Sequence, residues 1–238
     1  MLDKILLERA ERAGIPLSQE AAEKFAAYRA MLAEKNRVMN LTRIPDDPEE
    51  IVDRDALDAL APLRVPGLMD GVGTLVDVGS GAGVPGVVLA IALPHVRVTL
   101  VDALKKRVDF LNGVCEALHL NARAVHTRGE DAARDKALRD AFDCATARAV
   151  AALPVLLELS LPFVRLGGIF LAYKGPALET ELPAAKGALA LLGGRAREPV
   201  FVPIPGRDWD HRLLVVDKLR PTPAAYPRKA GEPEKKPL

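Results

Sequence analysis

The stretch LVDVGSGAGVPG (residues 75–86) leads from an apolar segment through four glycines into a second apolar run. A short apolar run without alternation is typical of a parallel strand that is covered on both faces. Glycines let the backbone approach a ligand closely and adopt positive φ. We therefore interpret the stretch as a strand, a ligand-binding loop and the start of a helix, although a tight turn without a ligand would show the same glycines.

Three kinds of glycine-rich loop could follow such a strand. A P-loop needs Gly-Lys-Ser/Thr after its first glycines, and none is present here. The dinucleotide fingerprint GxGxxG can be read from Gly81 to Gly86, but its first glycine should follow the strand directly, whereas residues 77–80 intervene. Read from Gly79, the order apolar-Asp-Val-Gly-x-Gly-x-Gly resembles the first motif of S-adenosylmethionine-dependent methyltransferases. An NAD-binding, dehydrogenase-like module remains the alternative if the loop is read from Gly81.

The residues after Thr74 alternate between strand-like and helical segments. The strand-like segments are TLVDV, VRVTLVD, ARAVHT, FDCATAR and GIFLAYKG. This alternation predicts an α/β fold with a mostly parallel, doubly wound sheet and right-handed crossovers, as in class I (Rossmann-like) methyltransferases. Because HRLLVVDK follows a longer, proline-containing connection, we expect an antiparallel strand at the sheet edge.

The chain divides into three parts that differ in composition and in predicted secondary structure. Residues 1–66 are predicted to form an N-terminal helical extension, 67–220 the Rossmann-like domain, and 221–238 a Pro- and charge-rich tail that packs as extended chain or stays mobile. In the extension, Ser18 should cap a helix that buries Ala22, Phe25, Arg29 and Leu32. Asp47 should cap a further helix that continues to about Leu63.

Composition limits the class of protein. A chain of 238 residues that is 49% hydrophobic can bury a full core, and its net charge of +1 gives no general argument for nucleic-acid binding. Cys115 and Cys144 have no metal-ligand spacing and are interpreted as free buried thiols, so no metal site is predicted. No apolar run of about 18 residues occurs. We therefore expect a soluble, cytoplasmic protein without a membrane partner.

Polar residues lie at or just after the carboxyl ends of four consecutive predicted strands. They are Asp77, Asp102, Glu130 and Arg148, and Asp102 lies 23 residues after Gly79. An acidic residue at about that spacing accepts hydrogen bonds from ribose hydroxyls in nucleoside-binding α/β folds, whose ligands lie at the carboxyl ends of the strands. Asp77 is placed to organise the ammonium end of the ligand. The alternative for Asp102 or Glu130 alone is that it caps the next helix.

Several longer strings resemble one family. They are NLT at 40–42, DVGSGAGVPG, LVDALKKRVDFL, TARAVAALPVLLE, LAYKGP, RLLVVDK and YPRKAGEPEKKPL. Over residues 20–238 the chain resembles the ribosomal RNA small-subunit methyltransferase G family. The resemblance implies transfer of methyl from S-adenosylmethionine to N7 of one guanine in the 530 loop of 16S rRNA, with the small ribosomal subunit as partner and no obligate protein partner. Methylation of another RNA, a protein or a small molecule is the alternative.

The resemblance also implies the cofactor residues. The family's contacts fall on Gly79, Val84, Gly129, Glu130 and Arg148, while Asp77, Gly81, Asp102, Ala103 and Leu104 should line the same site. Three departures stand out. Val84 replaces a larger apolar residue, Gly129 replaces Ala or Val, and the family's His-x-x-Asp-Ser-Leu carries Asp55 and Ala59 at its His and Ser positions.

The implied chemistry needs no catalytic base. Guanine N7 carries a free lone pair, and the four histidines (His95, His119, His126 and His211) are scattered without an obvious carboxylate partner. No catalytic residue is therefore predicted, and catalysis should rest on alignment and electrostatics.

Candidate RNA contacts form a local basic set. They are Lys105, Lys106 and Arg107 after the second strand, Lys174 at the same rim, Arg228 in the tail, and Tyr173 as a ring on which a base could stack. The alternative for the KKR cluster is an ordinary solvated helix face.

Overall fold

The computed structural model describes residues 1–39, 41–42 and 45–238, and its centre is one eight-stranded sheet. The strands are β1 (Thr74–Val78), β2 (Arg97–Asp102), β3 (Ala122–His126), β4 (Phe142–Arg148), β5 (Val164–Lys174), β6 (Gly194–Ala196), β7 (Val200–Phe201) and β8 (Arg212–Lys218). Their order is β3-β2-β1-β4-β5-β8-β6, and β7 also pairs with β8.

The sheet has the predicted mixture of strand directions. β1 to β5 pair in parallel, whereas β8 runs antiparallel to β5, β6 and β7. The α/β fold with an antiparallel edge is therefore confirmed. Because β1 lies between β2 and β4, the strand order reverses at β1. In open sheets, ligands bind in the crevice at this switch point, beyond the carboxyl ends of the strands.

Helices cover both faces of the sheet. They are α1 (Leu2–Arg12), α2 (Gln19–Met39), α3 (Pro48–Ile51), α4 (Gly86–Ala92), α5 (Lys105–Ala117), α6 (Gly129–Ala132), α7 (Leu153–Ser160), α8 (Leu178–Ala184), α9 (Lys186–Leu192) and α10 (Glu232–Lys235). Adjacent strand residues enter opposite layers, since Leu75 packs in the core with α4 and α5 while Val76 packs in the core with α7 and α9.

The N-terminal helices share the first of these cores. Ala22, Phe25, Arg29 and Leu32 are buried as predicted, and Ser18 accepts a hydrogen bond from the Ala21 N–H at 3.1 Å. The division of the chain at residue 66 stays a prediction. Within the described residues, however, the extension packs directly on the sheet's helical layer.

The third predicted helix differs from the structure. Asp47 caps α3 as expected, accepting from the Glu49 and Glu50 N–H groups. The chain then widens into a π-helical turn at Val52–Leu57 and continues as a 3₁₀ turn at Ala61–Arg64. The prediction of one continuous helix to about Leu63 is wrong. Pro62 lacks an N–H and cannot donate a helical hydrogen bond. In addition, carboxylates in and directly after the π-helical turn form ion pairs with arginines that are distant in sequence.

Two expectations from composition can be compared with the structure. Cys115 and Cys144 are buried free thiols, as predicted, and burial raises the pKa of Cys115 to about 11. None of the helices in the described ranges is long and apolar enough to cross a membrane.

Candidate functional site

The glycine-rich loop (residues 79–86) turns at the carboxyl end of β1. Gly79, Gly81 and Gly83 adopt φ values of +73°, +58° and +111°, which disfavour any residue with a Cβ. A Cβ on Gly86 would lie only 2.3 Å from Leu100 Cδ2. The glycines are therefore required by the turn and by close packing against β2, whichever ligand the loop binds.

Asp102 connects the end of β2 to this loop. Its carboxylate accepts hydrogen bonds from the Gly81 N–H at 2.9 Å and the Leu104 N–H at 2.8 Å, and Arg107 Nη1 lies 3.4 Å away. The bond from Leu104 forms a local turn before α5 and does not cap the helix, whose N-cap residue, Leu104, makes no side-chain capping bond. The bond to Gly81 adds a second role, because it fixes the loop against β2.

Asp77 lies beneath the loop. It is 1% exposed, its Oδ2 accepts from the Gly86 N–H at 3.1 Å, and its Oδ1 is buried without a hydrogen-bond partner. Burial raises the pKa of this carboxyl to about 7. A buried acceptor without a partner fits a cationic ligand group nearby, but Asp77 itself lies outside the linings of the two cavities described next.

Two cavities meet at Gly79, where they also share Arg107 and Ala149. The first cavity has a volume of about 240 Å³, and its lining includes four predicted cofactor residues: Gly79, Gly81, Val84 and Arg148. The second, of about 330 Å³, is lined by Gly79, Asp102, Ala103, Gly129 and Glu130. Of the predicted cofactor residues, Asp77 and Leu104 are not part of either lining, and Leu104 is exposed.

Arg148, at the end of β4, is held by carboxylates from the π-helical turn. Its Nη1 lies 2.8 Å from Asp58 Oδ2, and its Nη2 lies 3.7 Å from Asp55 Oδ1. Asp55 also pairs with Arg29 at 2.5 Å. Asp55, where the resemblance implies a His, thus shares its single negative charge between two arginines beside the first cavity. No local pattern in the sequence signals this arrangement.

His211 corrects the expectation that no histidine has a carboxylate partner. Its Nδ1 lies 2.9 Å from Asp58 Oδ1, at ion-pair distance but without hydrogen-bond alignment. Burial opposes ionisation of Asp58, but the contacts with His211 and Arg148 outweigh it and lower the pKa of Asp58. The His211 ring stacks on Trp209, with centroids 5.3 Å apart. The partners lie more than 150 residues apart in sequence, so local spacing could not reveal the pair.

A third cavity, of about 310 Å³, adjoins the first through Arg148 and Ala149. Lys174, Glu181 and His211 also line it, and Lys174 Nζ lies 2.5 Å from Glu181 Oε2. Sequence reasoning found Lys174 but missed Glu181, because a single acidic residue on a helix carries no distinctive signal.

Two predicted RNA contacts are not on open surfaces. Tyr173 is 5% exposed and its hydroxyl donates to the Ala59 carbonyl at 2.7 Å, so its ring cannot stack on a base in this conformation. The guanidinium of Arg228 forms hydrogen bonds with the buried carboxylate of Glu158. In this structure Tyr173 is buried and Arg228 is paired with Glu158, so neither side chain is openly presented to RNA, and both assignments stay predictions.

The three basic residues at the start of α5, Lys105, Lys106 and Arg107, differ in their surroundings. Lys105 and Lys106 are exposed, and Lys105 pairs with Asp109 at 2.8 Å. Arg107 instead lines both the first and the second cavity. Asn40, part of the NLT string that supported the resemblance, lies outside the described residues.

Comparisons with known proteins agree with the fold. A family model described as rRNA small subunit methyltransferase G matches residues 21–205. The ribosomal RNA small subunit methyltransferase G of Clostridium botulinum (strain Eklund 17B / Type B) is 44% identical over 235 residues, 98% of each chain. That of Desulfitobacterium hafniense (strain Y51) is 46% identical over 96% of this chain and 94% of the relative.

One solved structure extends the comparison of folds. Burkholderia thailandensis 1,6-didemethyltoxoflavin-N1-methyltransferase, with bound 1,6-didemethyltoxoflavin and S-adenosylhomocysteine, superposes with a TM-score of 0.53 at 14% identity. The alignment covers 81% of this chain and 89% of that chain. At this identity, the similarity concerns the fold alone.

Proposed function

Because the chain belongs to the rRNA small subunit methyltransferase G family, we propose that it methylates N7 of one guanine in the 530 loop of 16S rRNA, with S-adenosylmethionine as the methyl donor. The observation that carries the proposal is the pair of cavities that meet at Gly79. They lie where the strand order reverses, and the predicted residues of four parallel strand ends surround them.

The residues around these cavities suit the proposed cofactor. S-Adenosylmethionine supplies a methyl group on a positively charged sulfur. Asp102 accepts two backbone hydrogen bonds, and a carboxylate has about four lone-pair positions, so it retains capacity for ribose hydroxyls. The carboxylate of Asp55 provides negative charge near the loop, and the unpartnered Oδ1 of Asp77 is a buried acceptor beneath it.

The dinucleotide alternative fits the loop less well. A pyrophosphate would need the free N–H groups at the start of the helix that follows the loop. The N–H of Gly86, the first residue of α4, is already donated to the Asp77 carboxylate. A carboxyl group at that position competes with a phosphate for the same donor, so this contact favours a cofactor without pyrophosphate.

The third cavity is the proposed site of the acceptor guanine. Guanine presents an oxygen acceptor at O6 and a donor at N1 on its Watson–Crick edge, while N7 lies next to O6 on the major-groove edge. Lys174 carries donors and Glu181 carries acceptors, side by side in this cavity, so the pair matches the O6–N1 edge and leaves N7 free. His211, supported by Trp209, offers a partly exposed ring for stacking in place of Tyr173.

In the proposed reaction, the side chains act by positioning the guanine and the methyl donor. Attack by N7 removes no proton, so the side chains need only align the base with the methyl group and exclude competing orientations. The negative charge of Asp55 and Asp58 lies beside Arg148, between the first and third cavities. The chain thereby supplies a fixed electrostatic environment for the charge that moves from sulfur to base.

The RNA is proposed to be presented within the small ribosomal subunit in the cytoplasm. A net charge of +1 and an aromatic content of 4% provide few phosphate contacts and few stacking rings for free RNA. Turnover should therefore be faster on intact small subunits than on deproteinised 16S rRNA. Equal or faster turnover on the deproteinised RNA would contradict this part of the proposal.

The decisive experiment uses labelled S-adenosylmethionine and small subunits from cells that lack this gene. The RNA is digested to nucleosides, which are searched for labelled 7-methylguanosine. We expect one label per subunit at a single guanine. An absence of label, with S-adenosylmethionine binding intact, would favour the alternative of another RNA, protein or small-molecule acceptor.

A further inference from the structure

The C-terminal segment (residues 221–238) follows the last strand and lies against the second cavity. The N–H of Gly231 donates to Glu130 Oε1 at 2.8 Å. Glu234, in the short helix α10, is part of the cavity lining together with Asp102, Gly129 and Glu130. The segment is therefore in contact with the proposed cofactor site and does not extend freely into solvent.

A buried ion pair anchors this segment. Glu158 in α7 is fully buried, and its carboxylate accepts from the Arg228 backbone N–H at 2.7 Å, from Nε at 2.9 Å and from Nη2 at 2.5 Å. A buried carboxylate that loses its partner is strongly destabilised. The position of Arg228 is consequently fixed by α7, three residues before Gly231 contacts Glu130.

Two arginines that follow α6 provide a second anchor. Arg139 donates to the carbonyls of Tyr226 and Thr222, each at 2.8 Å, and Arg134 donates to the carbonyl of Pro227 at 2.5 Å. These bonds attach the segment to the same stretch of chain that carries Glu130. In this structure the tail packs against the domain and includes the short helix α10 (Glu232–Lys235).

We propose that the C-terminal segment completes the adenosine end of the S-adenosylmethionine site. Gly231 orients Glu130 by occupying one of its oxygens, and the other oxygen remains for a donor on the nucleoside. Glu234 adds a second carboxylate on the outer side of the cavity, whose apolar walls include Val78, Val150 and Leu159. Apolar walls with carboxylates at the edge suit a purine that carries an exocyclic amine. The inference rests on the proposed function for the identity of the ligand.

The test measures binding of S-adenosylhomocysteine to the full-length protein by calorimetry, without RNA. Arg228→Met should weaken binding about tenfold, equivalent to about 1.4 kcal/mol, because Gly231 and Glu234 lose their position. Arg228→Lys should recover part of the affinity, since it restores the charge opposite Glu158. Arg197→Met is the control, because it removes another arginine–carboxylate pair, formed with Asp217 of β8 outside the lining of the cavity.

Glu234→Gln keeps the test valid if Arg228→Met unfolds the protein. Glu234 is exposed and takes no part in the Arg228 anchor, so the fold should survive. We expect binding about threefold weaker and a higher KM for S-adenosylmethionine. The same loss should be seen with 5′-methylthioadenosine, which carries only the adenosine half. Glu232→Gln, on the same helix but outside the lining, is its control.

The outcomes separate this inference from the proposed function. If the folded Arg228 and Glu234 variants bind S-adenosylhomocysteine within twofold of the unaltered protein, the segment is not part of the site. If the unaltered protein does not bind this ligand, both the cofactor assignment and the inference are overturned. If it binds but does not methylate 16S rRNA, only the proposed substrate is wrong.

Discussion

Asp77 is buried beneath the glycine-rich loop, and burial raises the pKa of its carboxyl to about 7. Because this pKa is higher in the folded than in the unfolded chain, the native state binds the additional proton. The stabilising contribution is complete below about pH 4, declines as pH rises, and is lost once pH passes about 7. A carboxyl group in this position links the stability of the ligand-free protein to pH.

Asp77→Asn should remove this dependence. Each pKa unit corresponds to about 1.4 kcal/mol, so between pH 5 and pH 8 the unaltered protein should lose roughly 2 to 3 kcal/mol relative to the variant. Urea unfolding of both proteins at the two pH values measures the difference. If the two stability curves run parallel across this range, Asp77 is already ionised in the ligand-free protein.

Asp102→Ala should weaken S-adenosylhomocysteine binding by tenfold or more, equivalent to at least about 1.4 kcal/mol. The change removes the acceptor for the Gly81 N–H together with the proposed ribose contact. Asp109→Ala is a suitable control because Asp109 is exposed on α5 and pairs only with Lys105 among the contacts described here. Calorimetry gives both affinities. Equal affinity for the Asp102 variant and the unaltered protein would remove the ribose assignment.

At the scale of elements, strands and helices differ in how far the sequence predicts them. The segments TLVDV, VRVTLVD and FDCATAR are strands because their apolar runs have the length of a buried strand and end in polar residues, and these signals are local. The π-helical turn at Val52–Leu57 depends on Arg9, Arg29 and Arg148, which are distant in sequence. Local patterns contain no information about such partners, so a regular helix was predicted there.

The residues of the candidate site could also be predicted only in part from local sequence. Gly79, Asp102, Glu130 and Arg148 could be found because each lies at or just after the carboxyl end of a strand, and parallel strands end at one edge of the sheet. The pair of His211 with Asp58 and the contact of Gly231 with Glu130 join residues from different parts of the chain. Nothing in the local sequence marks them, and only the folded arrangement shows that they touch.

The start of α5 carries a prediction about RNA. Lys105 and Lys106 are exposed, two residues and one residue before Arg107, which lines the first and second cavities. The double variant Lys105→Ala/Lys106→Ala should lower turnover on small subunits. It should also reduce, by about one to two, the magnitude of the slope of the logarithm of the binding constant against the logarithm of the salt concentration. Binding of S-adenosylhomocysteine should not change.

The matched control for that variant is Lys4→Ala/Lys186→Ala, which removes two exposed lysines from α1 and α9. Turnover is measured over a series of salt concentrations for both double variants. An identical salt response in the two would mean that the KKR cluster is an ordinary solvated helix face.

At the scale of the whole molecule, the N-terminal helices are joined to the sheet by a common core. Phe25 and Leu32 of α2 pack in the same hydrophobic cluster as Leu75, Leu100 and Leu111, and the Tyr28 hydroxyl donates to the Ala82 carbonyl of the glycine-rich loop at 2.8 Å. A helix that buries its apolar stripe in this way cannot detach without exposing the core beneath it. The extension and the sheet should therefore unfold as one unit.

This cooperativity can be measured because the chain contains a single tryptophan, Trp209, which precedes β8 and lies far in sequence from α2. Helix content followed by circular dichroism and Trp209 fluorescence should report one coincident urea transition. Phe25→Ala should shift both signals together and lower stability by about 3 to 5 kcal/mol, since Phe25 is 1% exposed. Val38→Ala, at an exposed position of the same helix, should have little effect. If part of the helical signal is lost before the fluorescence changes, residues 1–66 unfold separately from the sheet. Residue 66 would then be the boundary of an independently unfolding domain.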